Sequence, residues 1–251
     1  MMRDVCVKGC SIGTGIPKIC VPIVARNMRE IFSQARATDS KKFDIVEWRV
    51  DWFDDFENLN EIRRASRVLH GILGERPILF TFRTPPEGGR HAIDPDYYFE
   101  LNRVAVEEHL ADMIDLELFA GDDKIRALIN YAHEKNSYVI ISSHDFEKTP
   151  PQEELVRRLR HAEELGADIL KTSVMPQNSR DVLELLSATE QMHRESDCPV
   201  VTMAMGNLGI ISRLSGEIFG SAMTFGTIGY ASAPGQIGIG PLREVLQLLH
   251  K

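Results

Sequence analysis

Cysteine is sparse in this chain, and basic charge is in the minority. The four cysteines, Cys6, Cys10, Cys20 and Cys198, form no CxxC pair, and no histidine stands beside them at a zinc-like spacing. That argues against a disulfide scaffold and a cysteine-based zinc site, and leaves reduced thiols as the expectation. Lysine and arginine total 29 against 37 aspartates and glutamates, a net charge of −8. A nucleic-acid surface needs a basic stripe, so none is expected. No apolar run approaches the roughly 20 residues of a membrane-spanning helix, and the N-terminal residues lack the apolar core of a signal peptide. A soluble, cytoplasmic protein is expected. No HxH, HExxH or clustered Asp/His set is present, which disfavours metal catalysis. No linker, charge block or low-complexity stretch divides the sequence, so residues 1–251 read as one domain.

What the chain does contain is an alternation of two patterns. At 251 residues, 43% hydrophobic and 26% charged, its composition is that of a globular protein. Short apolar runs at 19–25, 43–51, 77–83, 112–118, 138–144, 168–174, 199–205 and 222–228 read as buried strands. Amphipathic segments lie between them, among them 59–73, 95–109, 122–135, 151–165 and 180–195. Asp94-Pro95 opens one helix with a cap and a first-turn proline, and Thr149-Pro150-Pro151 opens another. Eight strands alternating with eight helices predict an α/β fold with a parallel sheet closed as a (β/α)8 TIM barrel. An open doubly wound sheet is the alternative. It would carry a Gly-rich phosphate turn after its first strand, and Ala25-Arg26-Asn27-Met28 is not one. The alternation around Val5 and Val7, with glycines between 9 and 15, predicts an N-terminal β-hairpin over 1–15 that closes one end of the barrel.

Lys171 lies in the run Ala167-Asp168-Ile169-Leu170-Lys171-Thr172-Ser173-Val174-Met175, where a lysine is out of place. Burial disfavours an ammonium, so a dry lysine offers a neutral amine that can condense with a ketone. A buried ion pair with Glu117 or Glu47 is the structural alternative. In a barrel, chemistry gathers at the C-terminal ends of the strands. Those ends carry Glu47 and Arg49, two apart on one face, then Arg83, then Asp115 and Glu117, again two apart. His144 follows, one strand before Lys171. Taken singly, such residues are more often solvated or structurally paired, and Met203 and Met205 read as packing. Together they converge on one mouth. Arg49 and Arg83, joined by Arg213, would clamp a carboxylate, and Glu47 would accept hydrogen bonds from hydroxyls. This inventory fits a substrate with a carboxylate, several hydroxyls and a ketone. The loops 206–209 and 229–236 could hold a phosphate, or the second could be a lid bringing Ser232 and Gln236 over the substrate. A merely structural loop is the third reading. A class I aldolase and a non-catalytic sugar-acid-binding barrel are the rival functions.

Several stretches carry a likeness to a known family. They are residues 43–51 (FDIVEWRVD), Thr81-Phe82-Arg83 with Glu87-Gly88-Gly89, 112–118 (DMIDLEL), Ser143-His144-Asp145-Phe146, Lys171 with Val174-Met175-Pro176, 209–213 (GIISR), and 231–236 (ASAPGQ). In order and over nearly the whole chain, they resemble the type I 3-dehydroquinate dehydratases. The resemblance implies a (β/α)8 barrel that forms a homodimer, takes 3-dehydroquinate, needs no cofactor and serves the shikimate pathway toward chorismate and aromatic amino acids. It implies Lys171 as the Schiff-base nucleophile, His144 as general acid/base, and Glu87 as the residue that orients and tunes His144. Glu47, Arg49, Arg83, Arg213, Ser232 and Gln236 fall on the family's substrate-binding positions. One departure is Pro22, which stands where some members carry a serine. The roles of Asp115 and Glu117 stay open at this stage.

Overall fold

A short hairpin precedes the barrel. β1 (Val5–Val7) and β2 (Cys10–Ile12) pair antiparallel across Lys8-Gly9. Both turn residues have positive φ, 47° and 77°, the left-handed geometry a two-residue hairpin turn requires. The computed structural model describes residues 4–38, 42–229 and 232–250. Residues 1–3 of the expected hairpin, and Tyr230 and Ala231 of the expected 229–236 loop, lie outside the described residues.

The barrel strands are β3 (Lys18–Ile23), β4 (Ile45–Arg49), β5 (Ile78–Thr81), β6 (Met113–Glu117), β7 (Tyr138–Asp145), β8 (Ile169–Val174), β9 (Val200–Ala204) and β10 (Met223–Thr227). They pair parallel and in sequence order, with β10 beside β3. The ring closes between β9 and β10 through a bridge from Val200 to Ser221, with Ala222 N–H donating to Val200 O at 2.7 Å. A two-residue strand, β11 (Ile237–Gly238), adds to β10. The closed ring is the barrel predicted from the strand count, not the open doubly wound sheet.

Helices follow the strands: α1 (Met28–Thr38), α2 (Leu59–Leu73), α3 (Pro95–Glu107), α4 (Asp122–Glu134), α5 (Gln152–Leu165) and α6 (Ser179–Glu195). After β9 the expected single helix is split into α7 (Ile210–Leu214) and α8 (Gly216–Phe219), and α9 (Ile239–Leu249) ends the chain. The break falls where Gly216 passes the Ser221 carbonyl, so close that a Cβ would lie 2.8 Å from its oxygen. Asp94 caps α3 as the sequence predicts, accepting from the N–H groups of Asp96 and Tyr97, with Pro95 in the first turn. The start of α5 differs from expectation. Its N-cap is Pro151 with no side-chain bond, and Thr149 Oγ1 has no partner among the described residues.

Alternation across the strands builds two cores. Outward side chains such as Trp48, Phe80, Ile114 and Leu170 pack beneath the helices. Inward side chains at the N-terminal end, Ile45, Leu79, Met113, Ile140, Ile169 and Val201, form a plug with Val5, Val7 and Ile12 of the hairpin. Each such buried aliphatic contributes about 1.5–3 kcal/mol. Two residues further along the same inward face, Ile45 gives way to Glu47, Leu79 to Thr81, Met113 to Asp115, Ile140 to Ser142 and Ile169 to Lys171. The barrel is therefore apolar at the hairpin end and charged at the other. That change of composition positions the site.

Candidate active site

Lys171 points into the charged half of the barrel with its side chain 4% exposed. Its Nζ donates to Asp115 Oδ2 at 2.9 Å and lies 3.6 Å from Glu47 Oε1. The Phe225 ring centroid is 4.8 Å away. The expected structural partners were Glu47 and Glu117; Asp115 takes the place of Glu117. Glu117 is instead held by Thr84 N and Thr84 Oγ1, both at 2.7 Å, and by Arg83 Nη1 at 3.2 Å. Neighbouring strands set this choice, because β6 presents Asp115 level with Thr81 and Glu117 one step higher, level with Ser142. Thr81 Oγ1 donates to Glu47 Oε1 at 3.2 Å, fixing that carboxylate beside the lysine.

His144 Nδ1 lies 2.9 Å from Glu87 Oε2, and the same oxygen accepts from His144 N–H at 3.1 Å. Glu87 reaches this position from a tight turn over Pro85–Glu87. Gly88 closes the turn at φ 85°, and Gly89 folds so tightly onto the strand end that a Cβ would lie 1.7 Å from Arg83 O. The Phe146 ring covers Gly88. Burial pushes the Glu87 carboxyl up to about 8, against the pull of Arg83. Burial, then the positive charges of Arg83, Lys171 and Arg49, hold the His144 imidazole well below its usual range. Both directions disfavour a charged imidazolium–carboxylate pair. At neutral pH the two groups share a proton without net charge, and the imidazole is not cationic.

The three arginines differ in what they have left to offer. Arg49 forks onto Asp51, with Nε and Nη2 at 2.7 and 2.8 Å, and Asp51 also accepts from Arg90 N–H. Arg83 touches Asp115 at 2.7 Å, Glu117 at 3.2 Å and Glu87 at 3.5 Å. Arg213 is 1% exposed, and its bonds are to Pro234 O at 3.1 Å and Met203 Sδ at 3.7 Å. Its Nε has no partner among the described residues. Burial alone lowers it to about 10. A buried guanidinium with spare donors is a receptor for an anion.

One cavity at the mouth is lined by Glu47, Arg49, Arg83, Glu87, His144, Lys171, Ser232 and Gln236. Arg213 stands behind the Met203 part of its wall. Ser232 and Gln236 bond to each other: Ser232 N–H donates to Gln236 Oε1, and Gln236 Nε2 to Ser232 Oγ, both at 3.0 Å. Their loop is tied down where Gly206 N–H donates to Pro234 O at 3.2 Å. Sequence reasoning missed Asp51, Ser142, Ser173, Phe146 and Phe225. Asp51 could have been found from its place two residues after Arg49, although it stands in the tight turn Val50–Trp52 that follows β4 and not on the strand. The others are unremarkable residue types that only the register brings to the site. Pro22 is buried level with Glu47 on β3, beyond the point where the β3–β10 ladder ends at Cys20.

A family model described as type I 3-dehydroquinase matches residues 19–251. The chain belongs to this family. The 3-dehydroquinate dehydratase of Clostridioides difficile strain 630 is 50% identical over 252 residues, covering 100% of this chain and 99% of that one. The 3-dehydroquinate dehydratase of Salmonella typhimurium strain LT2 is 49% identical over 251 residues, the full length of both. Among solved structures, the type I enzyme of Clostridium difficile with covalent modified comenic acid superposes with a TM-score of 0.97 at 50% identity, covering 100% of this chain and 99% of that one. The 3-dehydroquinate dehydratase of Geobacillus kaustophilus HTA426 gives 0.96 at 38% identity, covering 98% of this chain and 96% of that one. Membership of this family sets the chain apart from a class I aldolase, the rival reading of the sequence.

Proposed function

We propose that this type I 3-dehydroquinase removes water from 3-dehydroquinate to give 3-dehydroshikimate through a Schiff base on Lys171. The observation that carries the reading is that a buried lysine amine and a histidine–glutamate pair line one cavity. Lys171 attacks the ketone; the carbinolamine loses water and leaves an iminium. The iminium withdraws electrons and acidifies the neighbouring C–H. His144 takes that proton as general base, with Glu87 accepting its Nδ1–H, and an enamine forms. The enamine then expels the hydroxyl one carbon further on, to which His144 returns the proton. Water hydrolyses the conjugated iminium, freeing Lys171 and product. The net change is the loss of one water.

Arg213 supplies the spare donors for the substrate carboxylate, and Glu47 accepts from a hydroxyl. Arg49 and Arg83 bind through the edges their carboxylate partners leave open. Ser232 and Gln236 exchange their mutual bonds for substrate. No cofactor takes part in these steps. On the same reading the 251 residues are one catalytic domain of a cytoplasmic homodimer, a hydro-lyase of the shikimate pathway supplying chorismate and aromatic amino acids.

The direct test adds 3-dehydroquinate to purified enzyme and follows the ultraviolet absorbance of the conjugated enone. A rising signal is expected, and His144→Ala should slow it by about 10²–10⁴-fold. No signal from the wild type, or near-normal turnover by the variant, would contradict the proposal.

A further inference from the structure

Among the described residues, Asp115 is the carboxylate beside Lys171 that does not line the cavity. It lies behind the lysine, with its side chain 0% exposed. Three side chains pin it, one from just past the end of β5, one from β7 and one from β8. Arg83 Nη2 and Ser142 Oγ donate to Oδ1 at 2.7 and 2.6 Å, and Lys171 Nζ donates to Oδ2 at 2.9 Å. The carboxylate can neither rotate away nor reach a substrate hydroxyl. We propose that Asp115 acts on the reacting nitrogen itself, keeping the Lys171 imine protonated through the reaction and fixing the direction in which its C=N bond forms. The inference rests on the Schiff-base reading above.

Charge and direction both suit Asp115 to this role. As an ammonium, Lys171 Nζ carries three protons. Condensation with a ketone releases two of them with the carbonyl oxygen as water, leaving one N–H and the positive charge. That charge makes the iminium an electron sink; the neutral imine is a poor one. Beneath Nζ lies the apolar plug of Met113, Ile169 and Val201, which disfavours a cation. A permanently ionised carboxylate on the nitrogen offsets this. Burial pushes the Asp115 carboxyl up, but Arg83 and Lys171 outweigh it and hold it at about 2. The proton therefore stays on nitrogen. The remaining N–H keeps its bond to Oδ2, and the new C=N bond takes the side facing Glu47 and Phe225, which is the cavity side.

The other titratable groups around Nζ do not duplicate this role. On β4, Glu47 is the more distant carboxylate and faces substrate, and Arg49 is paired with Asp51. On β3, burial raises the Cys20 thiol, which stays neutral. Arg83, just past the end of β5, already neutralises the other oxygen of Asp115, and the His144–Glu87 pair, with His144 on the adjacent β7, is uncharged at neutral pH.

The experiment compares wild type and Asp115→Asn, incubating each with 3-dehydroquinate and cyanoborohydride, which reduces the protonated imine, across pH 6–10. Trapping on Lys171 is located by peptide mass spectrometry. The alkaline limb of trapping should fall by about one to three pH units in the variant, the size of shift an opposite charge at this distance produces. An unmoved limb overturns the inference. Should the variant not fold, wild type grown with ¹⁵Nζ-lysine gives the answer by NMR of the substrate-bound state. An iminium ¹⁵N shift persisting to pH 9 supports the proposal, and a neutral imine there overturns it. Absence of any Lys171 adduct in the wild type would instead sink the Schiff-base reading, so the two failures are distinct.

Discussion

Arg49, Arg83 and Arg213 are the same side chain in three different states of pairing: Arg49 is taken up by one carboxylate, Arg83 by three, and Arg213 bonds to a backbone carbonyl and a thioether. The sequence pattern placed all three at the mouth but could not show that Asp51 occupies the fork of Arg49, or that Arg83 serves three carboxylates. Arg49 and Asp51 meet locally across the turn that follows β4, whereas the Arg83 pairings depend on strand register, which single-chain periodicity does not contain. The same holds for Lys171, whose burial was legible from its apolar run, whereas its partner Asp115 was one step off the alternatives considered. The His144–Glu87 pair leads to a pH prediction. Its shared proton is lost as pH rises through about 8, the raised value of Glu87, and the base-competent form appears above that. kcat/KM should therefore climb to a plateau above pH 8. Glu87→Gln removes the negative charge that retains the proton. His144 then titrates alone, below its usual range, and the rising limb should move to below about 6.5. A pH–rate profile of the variant with its limb still near 8 would contradict this.

At the scale of elements, strand ends were easy to read and loops were not. Period-two alternation identified the inward pairs Glu47/Arg49 and Asp115/Glu117, because a strand leaves its side chains no other choice. The turn that delivers Glu87 has no such period, and its residue was named only through family resemblance. The structure supplies the physical reason for its glycines: Gly88 adopts φ 85° beneath the Phe146 ring, where a Cβ would lie 2.3 Å from ring carbons. Gly88→Ala should therefore cost about 1–2 kcal/mol in backbone strain alone. It should also displace Glu87 from His144. Thermal denaturation and steady-state kinetics should show a lowered Tm together with a reduced kcat. Wild-type values for both would refute this account of the turn. The split of the seventh helix into α7 and α8 was likewise invisible in the sequence, as was the close approach of Gly216 to the Ser221 carbonyl beside it.

For the whole molecule, one device recurs around the ring. Asp44, Asp112 and Asp168 stand just before β4, β6 and β8, and each accepts the N–H of a residue in the preceding strand: Ile19, Ile78 and Val139, at 2.7–2.8 Å. Ser221, ahead of β10, does the same for Thr202 N–H at 3.1 Å. These braces join the strands at the hairpin end, where the plug is apolar, and leave the opposite end free to carry charge. The barrel itself was legible because its strands are separated by regular helical patterns. Its polarity, apolar below and ionic above, emerges only when the strands are set in register. That polarity is what makes a buried lysine in a ring of carboxylates and arginines possible, and the central claim is that this lysine is the nucleophile. Borohydride added to wild-type enzyme turning over 3-dehydroquinate, followed by peptide mass spectrometry, tests it most directly. The account predicts loss of activity with a single reduced adduct on Lys171; an adduct on a different lysine, or no adduct, would contradict it.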